Sequence, residues 1–211
     1  VQDSYDKETA DSYEIGFKSQ LFDNRVALNG SVFYTRVRNT QQFEFFPTGG
    51  IQAISQIKRA RIWGAEADIQ IRATDALTFF GGLGYIDTKI TDIDSADPAD
   101  RAAIIGNKIP FAAEYNGTAG FQLTQPIGGD IELVARGEYN RTGRIFYDQR
   151  NSPNTSRDPV DIVNARLGIQ TDRFEVALWS RNLFNERYNA DAVVILPVAH
   201  SVFRAPPRSY G

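Results

Sequence analysis

Cysteine is missing from all 211 residues, and histidine occurs once, at His200. The first absence removes disulfide frameworks, thiolate metal sites and cysteine nucleophiles, and leaves the redox compartment undetermined. The second excludes a His-rich metal centre and leaves a Ser-His-Asp triad with one candidate base in a loop and no nucleophile elbow. No apolar run approaches the roughly 18–20 residues of a membrane helix, and mean hydropathy is −0.36. Helical spans are thereby excluded. Membrane strands are not, because each carries as many polar as apolar positions. A net charge of −3 provides no basic field, so nucleic acid is not expected as a partner. No phosphate loop is present either: GGLG at 81–84 falls inside a strand pattern, where small residues permit close packing. The chain opens VQDSYDKETA without a signal peptide, so an exported protein is expected here in mature or partial form.

What the chain has in quantity is alternation of period two, the spacing of a strand. Residues 59–87 show it best. Trp63, Ala65, Ala67, Ile69, Ile71 and Ala73 share one face, and Glu66, Asp68 and Arg72 lie on the other. After a turn at Thr74-Asp75 the pattern resumes with Leu77, Phe79, Gly81, Leu83 and Tyr85. Further hairpins repeat the form. Tyr13, Ile15, Phe17 and Leu21 stand against Glu14 and Lys18 and turn at Asp23-Asn24 into a strand over about 25–37. Tyr115 to Leu123 turns within 125–130 into Ile131 to Tyr139, whose second face carries Glu132, Arg136 and Glu138. Val163 to Ile169, with Arg166 opposite, turns at Thr171-Asp172 into Phe174 to Leu178, with Glu175 and Arg181 opposite.

Tight turns therefore alternate with long connections at 38–58, 88–110, 141–159 and 182–207. Short turns at one end and long loops at the other are the order of an up-and-down antiparallel barrel in a membrane. The apolar faces together carry no charged residue, while the opposite faces together carry eleven: Glu14, Lys18, Glu66, Asp68, Arg72, Glu132, Arg136, Glu138, Arg166, Glu175 and Arg181. Because an Arg or Lys at the lipid midplane costs roughly 2–4 kcal/mol, such purging predicts an all-β transmembrane barrel of about eight strands. A soluble β-sandwich binding carbohydrate would turn the same apolar residues inward and would usually have shorter strands. A passive porin would share the whole pattern.

Several stretches resemble the C-terminal barrel region of TonB-dependent outer-membrane receptors. They are ETADSYEIGFKSQLFDNRVALNGSVFYTRVRN (8–39), GAEADIQIRATDALTFFGGLGYIDTKI in the central hairpin, GNKIPFAAEYNGTAGF (106–121) and VNARLGIQTDRFEVALWSRNLFNERY (163–188). PPRSYG (206–211) is similar to the start of that family's last strand. The resemblance implies that residues 1–211 form the C-terminal portion of a barrel of about 22 strands, with the plug domain and the end of the final strand outside this chain. It implies localisation in the bacterial outer membrane, contact with its lipid, and coupling to the TonB complex through the N-terminal plug. The implied activity is receptor-mediated import of a scarce small molecule such as a ferric siderophore, with no cofactor and no enzymatic step.

On that orientation the long connections are extracellular and the tight turns periplasmic. Phe43, Phe45 and Phe46 become candidates for packing on an aromatic ligand, and Arg144, Tyr147 and Arg150 for gripping an anionic chelate. Asp92, Asp94, Asp97 and Asp100 are a weak candidate set for Ca²⁺, a cation that takes oxygen ligands. Their spacing lacks the EF-hand pattern. Glu14, Lys18, Glu66, Asp68, Arg72, Glu132, Arg136, Glu138 and Arg166 are expected to face the lumen, in cross-strand ion pairs and plug contacts.

Overall fold

The computed structural model of the chain describes residues 6–46, 51–196 and 199–211. In chain order the elements are β1 (Thr9–Leu21), β2 (Val26–Phe46), β3 (Ile51–Arg72), β4 (Leu77–Asp92), α1 (Pro98–Ile104), β5 (Tyr115–Gly128), β6 (Ile131–Thr142), β7 (Ile145–Phe146), a 3-10 turn (Pro153–Thr155), β8 (Ser156–Arg157), β9 (Val160–Gln170), β10 (Glu175–Arg181), β11 (Asn189–Leu196), β12 (Ala199–Arg204) and β13 (Ser209–Tyr210). One antiparallel sheet runs β1-β2-β3-β4-β5-β6-β9-β10-β13, and β7-β8 and β11-β12 are separate small hairpins. The eight wall strands are those the alternation predicts, and β13 lies where the family resemblance puts the start of the last strand.

Local chemistry closes each tight turn. Phe22, Asp23 and Asn24 all have positive φ (54°, 54° and 64°), which Asp and Asn tolerate because their short side chains bond locally. Thr74 Oγ1 accepts from the backbone N–H of Ala76 (3.2 Å) and Leu77 (3.0 Å). Thr171 Oγ1 does the same for Arg173 (3.2 Å) and Phe174 (3.3 Å). Between β5 and β6 the ladder continues past Pro126, through an irregularity, to Gly128. Gly128 and Gly129 then take φ of 145° and 61°, the left-handed region that favours glycine.

Pairing fixes the two faces. Tyr13, Tyr34 and Trp63 lie in one row across β1, β2 and β3, and Tyr85 and Tyr115 in one row across β4 and β5. The rings of Trp63 and Tyr85 are 5.4 Å apart. On this same face Ile15 is 73% exposed, Leu83 71% and Leu178 73%, and Phe17, Val32, Phe79, Leu167 and Val176 are exposed with them. Among the described residues no second sheet covers them. Each such side chain left in water forgoes about 1.5–3 kcal/mol, so the face requires an apolar solvent. This is the geometry of a membrane wall and not of a sandwich, in which these residues would point inward.

The connections are more ordered than loops. Pairing of β2 with β3 runs through to Phe46↔Ile51, so the stretch expected as a loop over 38–58 is mostly a continuation of the ribbon beyond the wall. The alternation ceases to be readable there because Arg36, Arg38, Arg59 and Arg61 occupy the outward positions, and Asn39 departs from strand geometry with φ of 58°. The 88–110 connection contains the end of β4 and α1, the 141–159 connection contains β7 and β8, and the 182–207 connection contains β11 and β12. A small apolar core forms here: Ile104 of α1 packs with Ile57, Ala60, Ile90 and Ile93.

If the exposed face meets lipid, Leu83→Arg should destabilise the protein folded in phospholipid vesicles by about 2–4 kcal/mol. Glu66→Gln on the other face should cost under about 1 kcal/mol. Urea unfolding in the vesicles measures both, and equal effects would refute the assignment of faces.

Candidate functional site

Two polar regions sit on the non-lipid side of the sheet: the wall's inner face and the layer of connections above it. On the inner face Asn29 donates to Asp68 across β2 and β3 at 2.7 Å. Glu14, Lys18, Glu66 and Asp68 line one shallow trough with Asn29 and Ser31. Arg136 donates to Glu138 (2.8 Å) and Gln122 (3.2 Å) and lies over the Phe80 ring at 4.4 Å. Gln170 donates to Glu132 at 2.9 Å, and Arg166 pairs with Glu175 across the β9-β10 hairpin. Arg72 lies at the turn end of β3, opposite Thr78. The inner face is thus a row of short-range polar pairs of the kind that stabilises sheets.

The upper layer is built from three connections held together. Lys108 N–H donates to Asn151 Oδ1 (2.8 Å), and Asn151 Nδ2 donates back to the Lys108 carbonyl (3.1 Å). Asn107 Nδ2 donates to the Gln149 carbonyl (2.9 Å), Phe111 N–H donates to the Phe146 carbonyl (2.8 Å), and the Phe111 ring meets that of Tyr147 at 5.6 Å. Asp148 folds the β7-β8 connection by accepting from Arg150 N–H (2.8 Å), Ser152 Oγ (3.1 Å) and Thr155 Oγ1. Lys108 bridges Asp87 and Glu114, both at 2.6 Å; although burial works against its charge, these hydrogen bonds hold its pKa above the ordinary lysine value. The β11-β12 hairpin, which follows β10, lies beside β2 and the 3-10 turn, so the layer reaches from one flank of the sheet to the other.

The candidate residues fall within this layer as follows. Arg144 pairs with Asp158 at 2.7 Å, at the exposed rim. Tyr147 is buried, donates its hydroxyl to the Asn189 carbonyl at 2.7 Å, and has its phenol pKa pushed up by burial. Arg150 pairs with Asp100. The three side chains do not converge on one point. Phe43, Phe45 and Phe46 have backbone partners in β3, Ile54, Gln52 and Ile51, but their side chains lie outside the described residues, as does that of His200.

The calcium set is dispersed by competing partners. Asp92 accepts from Arg59 (2.8 Å) and Arg101 (2.9 Å), Asp94 pairs with Lys58 (3.6 Å), and Asp97 caps α1 by accepting from Ala99 N–H (2.8 Å). Among the described residues no group of three or more metal-ligating side chains forms. The acidic run is a helix start with its counter-cations.

One residue not singled out by the sequence stands in the layer. Arg157, in β8, lies 5.4 Å from the Tyr188 ring centroid, with Nε and Nη2 buried and without a hydrogen-bond partner. The dipeptide Arg157-Asp158, one cation beside one anion, carries no readable pattern, since the ring that Arg157 meets, Tyr188, lies thirty-one residues away.

The family model described as TonB dependent receptor-like, beta-barrel matches residues 2–183. The chain belongs to this family. Its similarity to the "Ferric-pyoverdine M114 receptor PbuA" of Pseudomonas sp. (strain M114) is 25% identity over 178 residues, covering 84% of this chain and 21% of that protein. With the "Probable TonB-dependent siderophore receptor PiuA" of Acinetobacter baumannii it shares 27% identity over 109 residues, 50% of this chain and 14% of the other. Among solved structures, the ferric yersiniabactin uptake receptor FyuA from Yersinia pestis aligns with 96% of this chain and 29% of its own, at a TM-score of 0.79 and 20% identity. The chain therefore spans about a fifth of the length of the first curated relative. The copper transporter OprC also shares the fold, at a TM-score of 0.72 and 12% identity. Fold alone does not select a ligand. The family's SRNLFNERY block proves to be a turn: Asn182 and Asn185 take positive φ (53° and 57°), and Asn182 exchanges hydrogen bonds with the Glu186 backbone at 2.8 and 2.9 Å.

Asp92 gives a pH test. Burial works against its charge, but hydrogen bonds from Arg101 and Arg59 hold its pKa below the ordinary carboxylate value. A depressed carboxylate contributes stability that is complete above its unfolded pKa, near 4, and is lost as pH falls through the lower folded value. The protection of α1 amides relative to their intrinsic exchange rate at each pH should therefore fall below about pH 4, and Asp92→Asn should flatten that dependence. Protection factors over α1 that are insensitive to both would show that Asp92 does not anchor the helix.

Proposed function

We propose that this chain is one arc of an outer-membrane receptor barrel that imports a ferric siderophore or a similar anionic chelate, drawing energy from TonB through a plug domain carried elsewhere in the protein. The observation that carries this reading is the family match across nearly the whole sheet, joined to a wall with one uncharged and one charged face. Two curated relatives are named as siderophore receptors, one of them for ferric pyoverdine. The open edge of β1 supports the same reading, since a lipid-exposed row of unpaired backbone groups is too costly to persist unless further strands complete the ring. The protein is read as a receptor and not an enzyme, with the connection layer as its extracellular ligand surface.

Within that layer Arg157 is the candidate cation for an anionic ligand: its Nε and Nη2 have no hydrogen-bond partner among the described residues, and because both are buried a ligand has to part the connections around Tyr188 to reach them. A passive porin is the competing reading. It predicts steady ion conductance by the full-length protein in a planar bilayer, whereas a plugged receptor stays closed.

The deciding experiment is growth and ⁵⁵Fe uptake on a panel of ferric siderophores in a strain lacking the full-length gene. Restored, TonB-requiring uptake of one chelate is expected, and uptake that persists without TonB would overturn the proposal. For the chelate so identified, Arg157→Gln should weaken binding about tenfold, read by ligand quenching of intrinsic fluorescence.

A further inference from the structure

The β7-β8 hairpin places two polar side chains side by side under the start of β11. Ile145 pairs with Arg157 and Phe146 with Ser156, and the ladder goes on with Tyr147 N–H donating to the Thr155 carbonyl at 3.1 Å. Residues two apart on a strand share a face, so Tyr147 stands beside Arg157. Both meet the same segment. The Tyr188 ring centroid lies 5.4 Å from the Arg157 guanidinium, and the next residue, Asn189, accepts from the Tyr147 hydroxyl at 2.7 Å.

This closed arrangement is unfavourable for Arg157, because a buried charged group without hydrogen-bond partners has lost its water and gained nothing in return. Its Nε and Nη2 are in that position among the described residues. Something must hold the cover down against that cost. The Tyr147 ring already packs edge-on against Phe111 at 5.6 Å, a contact that a phenylalanine would make equally well, so the hydroxyl and its bond to β11 are what tyrosine adds here.

We infer that the Tyr147 hydroxyl latches a gate over Arg157: its bond to the Asn189 carbonyl keeps the Tyr188 end of β11 closed on the guanidinium, and release of that bond admits an anionic ligand group. Tyr147 is then a positioning residue that never touches the ligand. Closure lowers apparent affinity by the fraction of molecules that are open, so loosening the latch strengthens binding while removing the cation weakens it.

The inference rests on the reading of Arg157 as the ligand's counter-cation, and the test keeps the two apart because its first part needs no ligand. The full-length receptor in phosphatidylcholine nanodiscs is treated with phenylglyoxal, which modifies accessible guanidinium groups, and each arginine is followed by peptide mass spectrometry alongside amide exchange. Tyr147→Phe should raise both modification of Arg157 and exchange over residues 189–192 about tenfold, the worth of one hydrogen bond, and leave the rim residue Arg144 unchanged. No rise at Arg157 would overturn the latch. An equal rise in exchange over residues 148–155 would overturn it too, since Tyr147 would then merely support its own connection. If Tyr147→Phe does not fold, Tyr188→Ala is measured instead: modification of Arg157 should rise with exchange over 189–192 unchanged, and a rise in both would show that the ring and not the hydroxyl holds the segment. For the chelate identified by uptake, Tyr147→Phe should bind about tenfold more tightly, and weaker binding would overturn the gate. A panel from which nothing is taken up would refute the receptor reading and leave the labelling to decide the latch.

Discussion

Every backbone N–H and C=O in the wall must find its partner on the neighbouring strand, because the medium outside offers none. From this requirement the rest follows. Register is continuous from Leu21↔Val26 through Val26↔Ile71 and on to the β9-β10 pair, and with register fixed the pleat sends successive side chains to opposite faces. A one-residue slip would put Glu66, Asp68 and Arg72 into lipid together. The wall therefore needs almost no apolar core. Among the described residues the compact apolar cluster, around Ile57 and Ile90, lies among the connections.

The same requirement explains which parts of the structure were legible in the sequence. Where strands cross lipid, purging of charge from one face makes the alternation visible, and the eight wall strands and their tight turns were found there. Thr74 and Thr171 and the Asp23-Asn24 pair also have side chains that make turns for reasons visible locally. Beyond the lipid nothing purges charge from the outer face. Strands β2 and β3 continue past Arg36 and Arg61 as regular ladder, but their composition is that of a loop, and so they were read as one.

The candidate site was less legible, because pairing partners are distant. Arg150 meets Asp100 fifty residues earlier, and Tyr147 meets Asn189 forty-two residues later. An arginine or aspartate in a polar stretch looks free until the fold supplies its counter-charge, which is how Asp92, Asp94 and Asp97 came to resemble a cation site. Arg157 shows the reverse error. Nothing nearby in the sequence distinguishes it, and its setting comes from Tyr188 and the surrounding connections. The SRNLFNERY block likewise encodes geometry: Asn182 takes φ of 53°, a left-handed value that most side chains disfavour, and its N–H donates to Asn164 Oδ1 at 3.0 Å.

The small cluster of Ile57, Ala60, Ile90, Ile93 and Ile104 joins the root of the β2-β3 ribbon to α1, and the Asp100-Arg150 and Asn107-Gln149 contacts join α1 to the β7-β8 connection. Tyr147 then joins that connection to β11. Segments far apart in the chain are thus fastened in series, and local opening of one removes the support of the next. The surface above the wall behaves mechanically as one lid on several stems, so a force applied at any stem is shared by all of them.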